Sequence, residues 1–158
     1  MKTSFATIGK QKYKTEIQVG NHILMADEPE VLGGGNLGFT PTELLESSLA
    51  ACTVMTIRMY ADRKGWDLEK VEIKVGFKRN IATGKVTFKK EIQLFGNLQS
   101  EERERLLEMG SKCPIETMIT GNILVESQLI CNKAKIISDN AEDLFSTSSL
   151  ITPKLNAK

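Results

Sequence analysis

The segment from Thr40 to Gly65 constrains this chain more than any other, because both ends of one long helix are written into it. Thr40 can serve as N-cap, Pro41 sits at the first helical position where its missing N–H costs nothing, and Glu43 completes a T-x-x-E capping box. At the far end Arg63 and Lys64 complement the helix dipole, and Gly65 can turn left-handed just past the last residue. About 23 residues at ~1.5 Å each give roughly 34 Å, the width of a small domain. From Leu44 to Tyr60 the apolar residues, among them Leu49, Val54, Met55, Ile57 and Met59, cover nearly the whole circumference, which marks a helix enclosed by protein. A chain of 158 residues is about one domain, and a second subunit would help it to enclose such a helix.

The flanking segments read as strands and shorter helices. Over residues 5–26, Tyr13, Thr15, Ile17 and Val19 alternate with polar residues before Gly20-Asn21 and His22-Ile23-Leu24-Met25, the pattern of a hairpin. Residues 27–41 hold three consecutive glycines and two prolines and form a loop. Period two returns over 70–95, with Val71, Ile73, Val75 and Phe77 facing Val86, Phe88, Ile92 and Leu94 about a turn at Asn80–Gly84. Ser100 can cap a second helix that stops at Gly110, Cys113-Pro114 opens a short turn or helix ending at Gly121, and Ile123–Ile130 reads as a final strand. The expectation is a single α+β domain over residues 1–131, with 132–158 a tail or peripheral element.

Charge and length exclude several classes of function. With 21 Lys+Arg against 20 Asp+Glu the net charge is +1, so there is no general attraction to nucleic acid or to an anionic membrane. The uncharged run Ser47–Ile57 is well short of the roughly 18 residues a membrane span requires. The first residues lack a secretory apolar core, which points to the cytoplasm. There the 3 cysteines, Cys52, Cys113 and Cys131, are too few and odd in number for a disulfide framework, so chemistry becomes an option.

Cys52 lies inside the enclosed helix, where a free cysteine also serves as a small core residue. Cys113 follows Gly110-Ser111-Lys112 and precedes Pro114, a junction with free backbone N–H groups and an adjacent cation; these lower a thiol pKa, and surface capping is an equally simple account. Cys131, near the end of the expected last strand, reads as structural. A zinc site has no C-x-x-C pair and only His22 to draw on. A Ser/His/Asp triad has no nucleophile elbow, and the glycines at 33–35 lack the Lys-Ser/Thr of a phosphate loop.

The run DEPEVLGGGNLGFTPTELLESSLAACTVMTIRMYADRKGW (27–66), with KCPIETMITGNILVESQL (112–129), resembles the OsmC/Ohr family of osmotically induced and organic-hydroperoxide-resistance proteins. The resemblance spans roughly residues 10–130 and is nearest the OsmC-like branch. It implies an α+β, OsmC-like fold in which antiparallel sheets wrap two central helices of an intertwined homodimer. It implies Cys52 as peroxidatic and Cys113 as resolving cysteine, with Glu43 as a candidate catalytic carboxylate, no resident cofactor, a small-molecule hydroperoxide as substrate and an external dithiol as reductant. An apolar channel around Cys52 would favour alkyl hydroperoxides, at about 0.8 kcal/mol per buried CH₂.

The sequence departs from the family pattern in one respect. Peroxidase members place a Glu directly after the helix-opening proline and pair it with an Arg from the N-terminal strands. Here Thr42 takes that position, Glu43 follows, and residues 1–57 contain no arginine. Lys10, Lys12 and Lys14, or Arg58 six residues beyond Cys52, are the candidate replacement cations. The departure leaves a second reading open: a non-catalytic module of the same fold that binds a small ligand or senses redox state.

Overall fold

The structure, a computed structural model, describes residues 3–130; Cys131 and the expected tail over 132–158 lie outside the described residues. Strands β1 (Ser4–Ile8), β2 (Thr15–Val19) and β3 (His22–Ala26) form an antiparallel sheet in that order. The expected hairpin is present, with Ile17 opposite Leu24, and a third strand, β1, joins its free edge with Ile8 opposite Thr15. Tyr13 does not open the strand as its alternation implied: at φ 59° it belongs to the turn between β1 and β2.

Helix α1 (Pro41–Lys64) has both expected ends, a closed capping box between Thr40 and Glu43 and a left-handed Gly65. Strands β4 (Lys70–Arg79) and β5 (Val86–Phe95) pair over their full length, with Ile73 opposite Ile92. Helix α2 (Ser100–Gly110) is capped by Gln99 with Glu102, not by Ser100, because Gln99 holds the extended conformation of a cap and Ser100 is already helical. Helix α3 (Pro114–Thr120) follows at once. Ile57, Tyr60 and Ala61 of α1 pack with Leu68, Leu98 and Leu106 into the core, flanked by Val71, Ile92, Leu94 and Met109. No helix among the described residues is long and apolar enough to cross a membrane.

Two expectations meet the limits of a single chain. Ile123–Ile130 forms no strand: no neighbouring strand runs beside it, and Leu124, Val125 and Leu129 are at least 80% exposed. Only one side of α1 is enclosed, since Met55 and Met59 stand 62% and 72% exposed while Leu49, Thr53 and Ile57 are buried.

The glycine-rich loop is organised by Asp27, whose carboxylate accepts N–H bonds from Glu28 (2.9 Å), Gly35 (2.9 Å) and Leu37 (3.1 Å). Gly34 is required there, because a Cβ would fall 1.9 Å from the Glu28 carbonyl oxygen. Burial pushes the Asp27 carboxyl up, but the three N–H donors together with the charge of Lys14 outweigh it and hold the group below the usual carboxylate range. A lowered carboxyl pKa contributes stability above the unfolded value of about 3.9, and this is lost as pH falls through the folded value. Acidification below about pH 4 is therefore expected to strip hydrogen-exchange protection from the Gly35 and Leu37 amides. Gly35 and Leu37 amides that keep their neutral-pH protection well below the folded Asp27 value would contradict this role.

Candidate active site

Cys52 and Cys113, far apart in sequence, meet where α3 begins against the middle of α1. Cys52 is half-buried on α1; Cys113 is fully buried and N-caps α3, its Sγ accepting the Glu116 N–H at 3.4 Å. The close approach depends on Gly110 at the end of α2. A Cβ there would lie 3.0 Å from Ile57 Cδ1 and 3.4 Å from Thr53 Cγ2, so the missing side chain lets α2 settle on α1 before the chain turns into Cys113. Thr53 Oγ1 donates to the Leu49 carbonyl at 2.8 Å and also lies 3.6 Å from Cys113 Sγ. Thr53, the neighbour of Cys52 in α1, thus touches Cys113, and both thiols are free.

Cys113 and the Ile115 N–H both lie near enough to Cys52 to act on its thiol. At the start of α3 the Glu116 N–H bonds to the Cys113 sulfur, and the Ile115 N–H lies near enough to Cys52 to act on its pKa. Burial pushes the Cys52 thiol up, the Ile115 N–H opposes it, and neighbouring Cys113 raises it further, for a net value above that of an ordinary cysteine. No lysine or arginine stands among the strongest influences on Cys52.

The other candidate residues lie elsewhere. Glu43 is exposed and bonded within the capping box, accepting the Thr40 N–H at 2.7 Å and the Thr40 hydroxyl at 3.0 Å. It precedes Cys52 by nine positions, roughly 13 Å along the helix axis, so one chain does not bring the two together. Arg58 donates to the carbonyls of Leu68 (2.5 Å) and Glu69 (2.9 Å) and pairs with Asp62, fastening the end of α1 to the start of β4. Lys14 acts on Asp27, and Lys10 shares with it a groove beside Thr7, Glu16 and Met25. The Lys12 Nζ approaches Gly33. His22 pairs across the sheet with Val19, and among the described residues no group of three His, Cys, Asp or Glu could hold a metal.

Sequence reasoning missed Thr53, Lys90 and Glu116. Lys90 Nζ pairs with the Glu116 carboxylate and donates to the Gly110 carbonyl at 3.3 Å. Two signals were available: Lys90 interrupts the inward row Phe88, Ile92, Leu94, and C-P-I-E at 113–116 repeats the spacing of T-P-T-E at 40–43.

Two antiparallel sheets, one of them packed on a long helix whose middle meets a second free thiol, make this an α+β protein. Residues 33–128 match the family described as OsmC-like protein, and the chain belongs to that family. Proteins of the family are cysteine-based and use no cofactor. Among solved structures, the organic hydroperoxide resistance protein OsmC of Legionella pneumophila is 25% identical, with TM-score 0.60 over 77% of this chain and 90% of that one. An OsmC-like protein of Mycoplasma pneumoniae is 20% identical at TM-score 0.65, covering 77% and 88%. The organic hydroperoxide resistance protein OhrB of Bacillus subtilis is 17% identical at TM-score 0.53, covering 74% and 88%. No curated protein matches the chain in sequence.

Proposed function

We propose that this chain is a cytoplasmic thiol peroxidase that reduces organic hydroperoxides, with Cys52 as the peroxidatic and Cys113 as the resolving cysteine. The observation that carries the reading is the approach of two free thiols from separate helices at the start of α3, where Cys113 lies 3.6 Å from Thr53 beside Cys52 and near enough to raise the Cys52 thiol. The Cys52 thiolate attacks the terminal oxygen of the hydroperoxide. The O–O bond breaks, the alkoxide leaves and takes a proton to become the alcohol, and Cys52 carries a sulfenic acid. Cys113 then attacks the Cys52 sulfur, the S–O bond breaks, and hydroxide leaves as water once protonated. An external dithiol reduces the disulfide by thiol exchange. Glu43 contributes by fixing the first turn of α1.

A second copy completes the protein in this reading. It would cover Met55 and Met59 of α1 and give the extended 123–130 segment a strand partner, consistent with the homodimer that the resemblance implies.

The test is the denatured mass of reduced protein after brief exposure to one equivalent of an alkyl hydroperoxide, with native sedimentation of the same sample. A loss of about 2 Da mapping to Cys52–Cys113, in a particle of twice 17.5 kDa, is the expected result. The raised Cys52 pKa and the absence of an arginine from its strongest influences favour one competing reading, a non-catalytic module of the same fold that binds a small ligand. Thiols that stay unreacted would overturn the peroxidase reading and leave the ligand-binding one.

A further inference from the structure

We infer that Lys90 and Glu116 form a clamp that holds the start of α3 in place while the Cys113 sulfur changes partner, making Lys90 a positioning residue for disulfide closure. The inference rests on the peroxidase reading above and assigns a residue to its second step.

Two helix starts are built on one pattern and differ in what holds the glutamate. In T-P-T-E the Glu43 carboxylate turns back to the Thr40 N–H and closes the box. In C-P-I-E the cap sulfur accepts the Glu116 N–H in the same way, but the Glu116 carboxylate is held by Lys90. Lys90 stands on the inward side of β5 between Phe88 and Ile92, with its side chain 15% exposed. An ammonium in such a row is costly unless it is paired. Here it has the Glu116 carboxylate and the Gly110 carbonyl, and so it ties β5 to the end of α2 and the start of α3 together.

The consequence follows from which bonds survive oxidation. When Cys113 bonds covalently to Cys52, its sulfur must swing from its place over the Glu116 N–H, and the cap that anchors α3 weakens. The contacts of Lys90 do not involve sulfur and persist in both redox states. They hold the start of α3, and with it Cys113, in place throughout the exchange, which keeps the attacking and attacked atoms aligned.

The experiment uses the full chain and separates the two chemical steps by rapid quench with a sulfenic-acid trap. Lys90→Met and Glu116→Gln are expected to leave sulfenic acid formation at the wild-type rate, and to slow disulfide closure about 10- to 100-fold, as loss of alignment does. Lys90→Arg is expected to restore closure, because the guanidinium keeps both contacts. In Lys90→Met the Glu116 carboxylate is freed to close its own capping box, so the unfolding midpoint should fall less than the closure rate. Closure at the wild-type rate in both Lys90→Met and Glu116→Gln would overturn the clamp, as would slowing that Lys90→Arg fails to restore. Absence of any disulfide in the wild-type protein would instead overturn the peroxidase reading itself.

Discussion

Cys52→Ser is expected to abolish both hydroperoxide turnover and peroxide-driven disulfide formation, whereas Cys113→Ser should retain the first step and accumulate a sulfenic acid on Cys52. A serine hydroxyl at position 52 cannot form the sulfur–oxygen bond, so no partial activity is expected. Loss of Cys113 removes only the attacking group of the second step, and its product is trapped by a sulfenic-acid reagent or carried on to sulfinic acid. The half-reaction of the wild type should accelerate with pH beyond the usual thiol value of about 8.5, because burial raises Cys52 above it and only the thiolate attacks. Peptide mapping separates the expected bridge from any that uses Cys131. Disulfide formation that survives in Cys52→Ser would remove Cys52 from the mechanism.

Gly110→Leu should produce the second-largest effect, and through packing alone. The position faces Ile57 and Thr53 at distances that already make a single added carbon tight. Gly110→Ala is tolerable, because the nearest atom is the flexible tip of Ile57. A leucine must push the end of α2 off α1, which overpacking costs at about 1–3 kcal/mol. The displacement carries Cys113 away from Cys52, so disulfide closure is expected to slow on the order of 100-fold while sulfenic acid formation persists. Denaturant unfolding measures the first effect and quenched-flow trapping the second. A stable Gly110→Leu variant that closes its disulfide normally would show that the approach of α2 does not set the distance between the thiols.

The elements most legible in the sequence are those whose determinants are local. Both ends of α1 follow from neighbouring residues, Thr40 with Glu43 and Lys64 with Gly65, and so does the β4–β5 pairing about Asn80–Gly84. The cap of α2 falls one residue before Ser100 because the backbone turns at Gln99, whose N–H the Glu102 carboxylate accepts, and side-chain preference for Ser at a cap does not reveal that turn. The strand expected at 123–130 is absent because a run such as Ile123-Leu124-Val125 suits a strand but cannot supply an edge to pair with. The meeting of Cys52 and Cys113 was implied by the family resemblance and by nothing in their spacing. It depends on a glycine at 110 and on the path of α2, which are tertiary facts. The Lys90–Glu116 pair escaped notice because a lysine among inward-facing residues reads as a break in the pattern until its partner is known.

Cys113 is sealed and Cys52 is half-open, and that difference has a kinetic signature in the proposed cycle. Oxidant and reductant must use the same opening and the same sulfur, so neither can bind productively while the other is there. Turnover would be ping-pong, giving parallel lines in double-reciprocal plots. An excess of dithiol would then compete with hydroperoxide for the entrance and slow the very reaction it sustains.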